Sequence, residues 1–267
     1  MEMVTKRKCI EALQNIGLTY GDIVMIHSSL RTIGGIEGVS YSDKEGYCET
    51  IFDIFDAVLD LKNKGTIVVP TFTLSYARHQ QPFIYETSPA DPSLGIFAEF
   101  VRNQKESLRS LHPLLSLCAF GYHKEIICSE VSKCCYGWNS PFHRLYENRA
   151  KILLLGVNFQ KMSFIHHIEY MAGVSHYYNK AYFTPAYKDG KELPLPYSAG
   201  VRYYNNKVDP FFERMENYMI EKGSAPEGRF GEAKTMLTSI RDVYDQGFEM
   251  LQKNPCFFIK DPYYTTQ

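Results

Sequence analysis

Two histidines and a glutamate within residues 163–171 are the side chains best suited to do chemistry. The segment reads Ser-Phe-Ile-His-His-Ile-Glu-Tyr-Met, so a helix would place His166 and Glu169 on one face. An imidazole held by a carboxylate is well placed to act as a general base near neutral pH. Two alternatives fit the same spacing: a half-exposed helix face without chemistry, and a metal site that adds His167. Because adjacent histidines point about 100° apart on a helix, we expect no metal here.

A sheet has to position this segment. The apolar run 151–157 precedes it and is typical of a buried parallel strand. The patterns predict further strands at 22–27, 65–70 and 114–120, and helices at 5–16, 47–61 and 96–102. This alternation predicts an α/β fold, a single-domain layered sandwich over residues 1–267 with a mixed, partly parallel central sheet. Since α/β sheets bind ligands at the carboxyl ends of their strands, we expect the His166 pair at that edge.

The last third of the chain is expected to add a flap and further helices. Residues 181–204 are typical of a β-hairpin flap, with Asp189-Gly190 as its turn. Asp209-Pro210 predicts the start of a helix, with a capping residue followed by a first-turn proline. A helix at 239–253 and a short strand at 256–259 follow. The polar segment 37–45 and the loop 75–93 are the long connections, and loops of such length often carry function.

The composition narrows the class of protein. The chain has 267 residues, 45% of them hydrophobic and 22% charged, which is typical of a globular protein. Its net charge of −1 argues against a nucleic-acid partner. No apolar run approaches the roughly 20 residues of a membrane helix, and the first nine residues lack a signal-peptide core. Seven cysteines without a Cys-x-x-Cys pair indicate a reducing compartment. We expect a cytoplasmic protein without a membrane partner, as a monomer or homodimer.

Three further motifs each admit two interpretations. His27-Ser-Ser-Leu ends a strand and offers hydroxyl and N–H groups suited to a phosphate, but serine caps are also common there. Leu108-Arg-Ser-Leu-His-Pro combines a cation, a hydroxyl and an imidazole, although a histidine bound to backbone would look the same. Trp138, the only tryptophan, is either a binding surface or a core or rim anchor. The chain lacks the dinucleotide, P-loop and nucleophile-elbow patterns.

Seven segments between residues 20 and 205 form an ordered series: 27–34, 69–73, 91–102, 109–113, 137–141, 153–157 and 166–170. This series resembles the aminoglycoside 3-N-acetyltransferase family. The resemblance implies the α/β sandwich of that family and acyl transfer from acetyl-CoA, or another short acyl-CoA, to the amine of an amino sugar. It implies His166 as the catalytic base and Glu169 as its partner. Direct transfer in a ternary complex is expected, because no nucleophile is evident for a covalent intermediate.

The resemblance also implies binding residues. Those expected to border the coenzyme are Ser28, Ser29, Leu30, Arg31, Thr71 and Phe72, with Ser110 and His112 beside the thioester arm. Those expected to contact the sugar are Tyr76, Glu99, Trp138 and Tyr170.

Two departures from the family pattern bear on the acceptor. Trp138 stands where the family usually has an acid, and residues 37–45 are inserted after the coenzyme segment. Aminoglycosides carry several ammonium groups and call for an acidic cleft, whereas this chain is nearly neutral. We therefore expect a nucleotide-linked amino-deoxy sugar used in surface polysaccharide synthesis. The alternatives are an aminoglycoside acetyltransferase that confers antibiotic resistance and, more remotely, a non-catalytic acyl-CoA-binding protein.

Overall fold

The computed structural model describes residues 3–203 and 208–260. The helices in this part of the chain are α1 (Lys6–Asn15), α2 (Lys44–Leu59), α3 (Ser75–Arg78), α4 (Ile96–Arg102), α5 (Lys124–Cys128), α6 (Pro141–Glu147), α7 (Ile165–Ala172), α8 (Glu213–Glu221) and α9 (Ile240–Lys253). The strands are β1 (Ile23–Ser28), β2 (Thr66–Pro70), β3 (Phe83–Ile84), β4 (Leu108–Arg109), β5 (Leu117–Gly121), β6 (Lys151–Leu155), β7 (Tyr177–Tyr182), β8 (Ala186–Lys188), β9 (Lys191–Glu192), β10 (Tyr197–Arg202), β11 (Glu227–Phe230) and β12 (Ala233–Ser239).

The central sheet has seven strands in the order β11-β12-β6-β1-β2-β5-β4. Its middle is parallel, because β1 pairs in parallel with both β2 and β6, with Met25 opposite Val68 and Ile152. The flanking strands β12 and β5 run antiparallel to this middle. The sheet is therefore mixed and partly parallel, as the sequence predicts, and the carboxyl ends of β6, β1 and β2 meet at one edge.

Two apolar cores lie on opposite faces of the sheet. Alternate residues of β1 point to each side, with Met25 in one core and Val24 in the other. Helices α1, α2 and α4 cover one face, and α6, α7, α8 and α9 cover the other. This layered α/β sandwich confirms the predicted fold class.

Local signals set several helix ends. Thr5 accepts a hydrogen bond from the Lys8 amide at the start of α1, and Ser140 accepts one from the His143 amide at the start of α6. Helix α2 begins earlier than predicted, because Asp43 caps it by accepting from the Gly46 amide. The predicted loop 75–93 also contains the short elements α3 and β3.

Two predictions near the carboxyl end are wrong. No helix starts at Pro210; α8 begins at Glu213, because the Phe211 amide donates to the Phe258 carbonyl and holds this segment extended. The predicted strand at 256–259 is a turn with a single bridge between Ile259 and Pro210. Both segments pair with each other, which a local pattern cannot reveal.

A flap stands beside the central sheet. Strands β7 and β10 form an antiparallel pair in which Arg202 lies opposite Tyr177, so the pairing starts earlier than the predicted residue 181. The connection between them contains β8 and β9, which turn at Asp189 and Gly190 with φ of 51° and 71°. Positive φ at both positions is what a tight hairpin turn requires, so the turn prediction is confirmed. Tyr204, at the end of the predicted hairpin, is outside the described residues. Among the described helices, none combines the length and the apolar character needed to cross a membrane.

Candidate active site

His166 and Glu169 meet on the first turns of α7. His166 Nδ1 lies 2.8 Å from Glu169 Oε2, so the three-residue spacing brings the two side chains together. Glu169 is fully buried, whereas 23% of the His166 side chain is exposed. With Nδ1 held by the carboxylate, Nε2 is the ring nitrogen left to accept a proton.

Glu169 has two further donors. Arg202 Nη2 donates to both carboxylate oxygens, at 2.9 and 3.1 Å, and His176 Nε2 lies 3.2 Å from Oε1. Burial is the largest single influence on the Glu169 pKa and would raise it. The hydrogen bonds from His166 and His176 and the charge of Arg202 together outweigh burial and hold this pKa well below its usual range. Glu169 is therefore a carboxylate.

The pKa of His166 is lowered from its usual value. Burial is the main cause, and the positive charge of Arg202 acts in the same direction. The hydrogen bond and charge of Glu169 act in the opposite direction and only partly compensate. The imidazole is thus neutral near pH 7 and available as a base.

Aromatic rings enclose the pair. Tyr177 Oη lies 2.9 Å from His166 Nδ1, and the Phe212 ring meets the His166 ring edge-on at 5.5 Å between centroids. The Arg202 guanidinium lies over both rings, 5.3 Å from the Tyr177 centroid and 5.5 Å from the Phe212 centroid. Burial and the charge of Glu169 raise the pKa of Tyr177 well above its usual value, so its hydroxyl stays protonated.

Sequence reasoning missed Arg202, His176 and Tyr177. Arg202 and Tyr177 become neighbours only through the β7–β10 register. His176 follows Glu169 by seven residues, beyond the end of α7, where helical spacing no longer applies. No local motif marks these three residues.

His167 belongs to a different environment. It is fully buried, its Nδ1 lies 2.6 Å from the Tyr136 carbonyl oxygen, and its ring packs against Phe164 and Tyr244. The two adjacent histidines therefore point apart, and His167 does not join His166 and Glu169 in one ligand set.

A pocket of about 940 Å³ lies at the carboxyl edge of β1, β2 and β6. Ser28, Ser29, Leu30 and Arg31, four of the residues expected to border the coenzyme, line it. The backbone at Gly156 lies close to the side chain of Thr32 in the pocket wall. Gly156 has a φ of 69°, and a Cβ at this position would come within 1.9 Å of Thr32 Oγ1. Glycine therefore permits the close approach that shapes the pocket wall.

Charged and aromatic side chains give this pocket a chemical character. Four cations line it (Arg31, Lys44, Lys161 and Lys234) against two carboxylates (Glu216 and Glu232). Tyr41, 50% exposed, and buried Tyr47 add an aromatic wall, with ring centroids 5.4 Å apart. Cations beside an aromatic surface suit a ligand that carries phosphates and a nucleobase, and these residues therefore fit coenzyme A.

Thr71, Phe72, Ser110 and His112 do not line this pocket. The first three lie in or beside a buried polar network in which Arg109 donates to the Thr71 carbonyl oxygen at 2.6 Å. Ser110 Oγ accepts a hydrogen bond from the Leu117 amide.

His112 is bound on both sides. Its Nδ1 accepts from the Leu115 amide at 3.0 Å, and its Nε2 lies 3.1 Å from the Ser198 carbonyl oxygen. The contacts seen for His112 are those of a buried histidine satisfied by backbone.

The four residues expected to contact the sugar are scattered. Tyr76 is fully buried and donates to the Thr184 carbonyl oxygen at 2.6 Å. Glu99 pairs with Arg102, and Trp138 is 71% exposed beside the His143 ring. Tyr170 lines a small pocket of about 140 Å³ together with Glu169 and Tyr177. Of the four, Tyr170 is the one that the structure brings to the His166 site.

Known proteins share this sequence pattern and fold. Aminoglycoside N(3)-acetyltransferase IV of Salmonella sp. is 27% identical over 257 residues, covering 96% of this chain and 91% of the relative. A variant of aminoglycoside acetyltransferase AAC(3)-IVa in complex with a gentamicin matches with a TM-score of 0.81 at 24% identity, covering 100% of this chain and 95% of that one. AAC-IIIb, solved as a binary complex with CoASH, matches with a TM-score of 0.79 at 21% identity, covering 98% and 100%. These two structures have the same fold as this chain.

A sequence model of the family described as aminoglycoside 3-N-acetyltransferase matches residues 25–252. The seven-segment series in the sequence predicts this family, and the match confirms it. The chain therefore belongs to the aminoglycoside 3-N-acetyltransferase family, a family of acyl-CoA-dependent N-acyltransferases.

Proposed function

We propose that this protein transfers an acetyl group from acetyl-CoA to an amine of an aminoglycoside. One observation carries the proposal. His166 is neutral, partly exposed and held by the buried Glu169, and the 940 Å³ pocket, called the main pocket below, is lined mostly by cations among its charged residues. The family match supports the reaction class, because its name specifies N-acetyl transfer.

The proposed chemistry is direct transfer with His166 as base. A sugar amine in its neutral form attacks the thioester carbonyl carbon, and Nε2 of His166 takes the proton that this nitrogen loses. A C–N bond forms, the C–S bond breaks, and the imidazolium returns the proton to the departing sulfur. Glu169 fixes the tautomer of His166 and stabilises the imidazolium, as the acid of a Ser-His-Asp arrangement does.

Arg202 balances the charge of this arrangement. Its bond to Glu169 offsets the carboxylate, so His166 is not stabilised as a cation before the amine arrives. A base with a lowered pKa releases its proton readily to the leaving thiolate. Arg202 therefore keeps His166 in the neutral form that can accept a proton, and it favours the return of that proton to the sulfur.

The cationic pocket is the proposed site of the acyl donor. Ser28, Ser29 and Arg31 line it, and Lys44 and Tyr41 bring the inserted segment 37–45 to the same place. One relative is solved with CoASH, which supports this type of ligand. Thr71, Phe72, Ser110 and His112 remain predicted coenzyme neighbours that lie outside this pocket.

The comparisons change the acceptor that we propose. The sequence favours a nucleotide-linked amino sugar, but the relatives are named for aminoglycosides and one is solved with a gentamicin. They support the aminoglycoside alternative, with antibiotic resistance as its biological effect, better than the nucleotide sugar. Tyr170, beside Glu169, is the proposed acceptor contact.

We further propose three properties that the sequence predicts: a single acyltransferase domain over residues 1–267, a monomeric or homodimeric state, and a cytoplasmic location. The first is supported by two cores that share one sheet.

A thiol-release assay tests the proposed function. Acetyl-CoA is offered with a panel of aminoglycosides and, in parallel, amino-sugar nucleotides, and products are identified by mass and by NMR assignment of the acetylated amine. We expect acetylated aminoglycosides, and turnover lowered by about 10²-fold or more with His166→Ala. Turnover of nucleotide sugars alone would refute the proposed acceptor. Full activity of His166→Ala would refute the proposed base, and tight CoA binding with no turnover on any amine would indicate a binding protein.

A further inference from the structure

The pocket contains a buried histidine that the reaction described above does not use. His27 is the penultimate residue of β1, at the carboxyl edge of the sheet, and it lines the 940 Å³ pocket. Strand alternation places it on the same face as Ile23 and Met25, the face that α7 covers. It is only 6% exposed. His27 is therefore a buried histidine in the pocket lining, on the side of the sheet that carries His166.

His27 lacks the hydrogen bonds that buried polar groups normally have. Its Nε2 is buried without a hydrogen-bond partner among residues 3–203 and 208–260. Seven buried side-chain nitrogen or oxygen atoms share this condition in that part of the chain, and only the His27 atom belongs to a residue lining the main pocket. A buried polar atom without a partner costs free energy, so its presence beside a pocket indicates a partner supplied by a ligand.

The protonation state of the His27 ring indicates which kind of ligand group it can bind. Burial lowers the pKa of His27 to about 4, so the ring is neutral and offers one N–H donor. The exposed cations Arg31 and Lys44 are the groups suited to phosphates. A neutral N–H in a buried position suits a carbonyl oxygen instead.

We propose that the His27 imidazole donates a hydrogen bond to a carbonyl oxygen in the uncharged arm of the acyl donor, either its thioester or an amide. The proposal rests on the proposed function, because it assumes that an acyl-CoA occupies this pocket. The donor's phosphates lie among the exposed cations, and its arm runs inward past His27. His27 would then orient the acyl group, and at the thioester oxygen it would stabilise the negative charge that develops there.

His112 provides a matched comparison. Both histidines are buried, and burial lowers the pKa of each to about 4. His112, however, has a backbone partner at each ring nitrogen. If His27 were a structural residue of the same kind, its replacement would cost stability in the same way.

The test replaces each histidine by an apolar ring of similar size. We expect His27→Phe to keep or raise Tm, because it removes an unsatisfied polar atom, while kcat/KM for acetyl-CoA falls about tenfold or more, the loss expected for one hydrogen bond. His112→Phe should lower Tm, because it leaves the Leu115 amide and the Ser198 carbonyl unpaired. His27→Asn retains a donor and should recover part of the activity.

Calorimetry with CoA and with acetyl-CoA locates the hydrogen bond and separates the two proposals. A weaker Kd for both ligands places it at an amide of the arm, and a lower kcat with unchanged Kd places it at the thioester oxygen. A folded His27→Phe with wild-type kcat/KM and Kd would overturn the inference. If the wild-type protein binds CoA but acetylates no amine, the proposed function fails, and His27 is still judged by the Kd of its variants. Should His27→Phe not fold, ¹⁵N chemical shifts of the wild-type His27 ring during CoA titration give the answer: we expect a shift, and its absence contradicts the inference.

Discussion

Arg202 Nη2 donates to both carboxylate oxygens of Glu169, at 2.9 and 3.1 Å, and so joins the flap strand β10 to helix α7. The pair is largely buried, with 19% of the Arg202 side chain and none of the Glu169 side chain exposed. The negative charge that would raise the proton affinity of His166 is thus offset by a positive charge from the flap. The pKa of His166 therefore depends on Arg202, a residue far from it in sequence.

Replacing the base should remove most of the catalysis. We expect His166→Gln to lower kcat by about 10²- to 10⁴-fold, the usual contribution of a general base, with little change in KM for acetyl-CoA. His79→Gln, at an exposed histidine, is the matched control and should behave as wild type. Steady-state kinetics with one aminoglycoside measure both. A His166→Gln enzyme within about threefold of wild type would rule out the assigned role.

Removing the flap cation should move the pH profile. Arg202 lowers the pKa of His166, so Arg202→Met should raise this pKa and shift the acidic limb of the kcat/KM profile to higher pH. The base works in its neutral form, so the variant should lose activity relative to wild type on the acidic side of the profile and regain it at alkaline pH. Arg202→Lys keeps the charge and should stay near the wild-type limb. A uniform loss at every pH would show instead that Arg202 acts only by holding the fold.

Removing one pocket cation should weaken binding of the phosphate end alone. We expect Lys44→Gln to raise KM for acetyl-CoA severalfold, with KM for acetyl-pantetheine, which lacks the nucleotide, unchanged. The difference should shrink as salt is added, because salt screens exposed charges. Lys62→Gln, exposed at the opposite edge of the sheet before β2, serves as control. Equal effects on both donors would place the phosphates elsewhere.

Acid should destabilise the fold through buried neutral histidines. The pKa of His112 is about 4 in the folded protein and about 6.5 when unfolded, so the unfolded chain binds the proton first as the pH falls. The stabilisation is complete above about pH 6.5 and is lost as the pH falls towards 4, by roughly 3 kcal/mol for this group. Urea denaturation at pH 7.5 and pH 5 measures it. The loss between these pH values should be smaller in His112→Gln than in wild type, and identical losses would argue against a buried neutral His112.

The sequence predicted the parts of this protein that local pattern determines. The runs at β1, β2 and β6 are apolar because both faces of the sheet are covered, and the Thr5 and Ser140 caps sit where hydroxyl residues precede helical periods. The His166–Glu169 contact follows from helical spacing alone. The prediction of a helix start at Pro210 is wrong because this residue pairs with Ile259, about fifty residues away.

The remainder of the site depends on contacts that no local pattern encodes. Arg202 reaches Glu169 through the register of two strands, and His27 is informative only because its neighbours leave Nε2 without a partner. Thr71 and Ser110 stay predicted coenzyme neighbours, a role that the family resemblance implies. Their burial in or beside the hydrogen-bond network around Arg109, outside the 940 Å³ pocket, is set by long-range packing that their motifs do not encode.

The β7–β10 register separates the residues of the flap that act on His166 from those that only connect the two strands. Within the described flap residues 177–202, Tyr177 and Arg202 are the two that hydrogen-bond to His166 or Glu169. Residues 183–196, which join β7 to β10, take no part in these hydrogen bonds. That connection can therefore lengthen, shorten or change composition while the acidity of the base is preserved. Sequence changes confined to residues 183–196 would thus leave the acid–base chemistry of His166 and Glu169 intact.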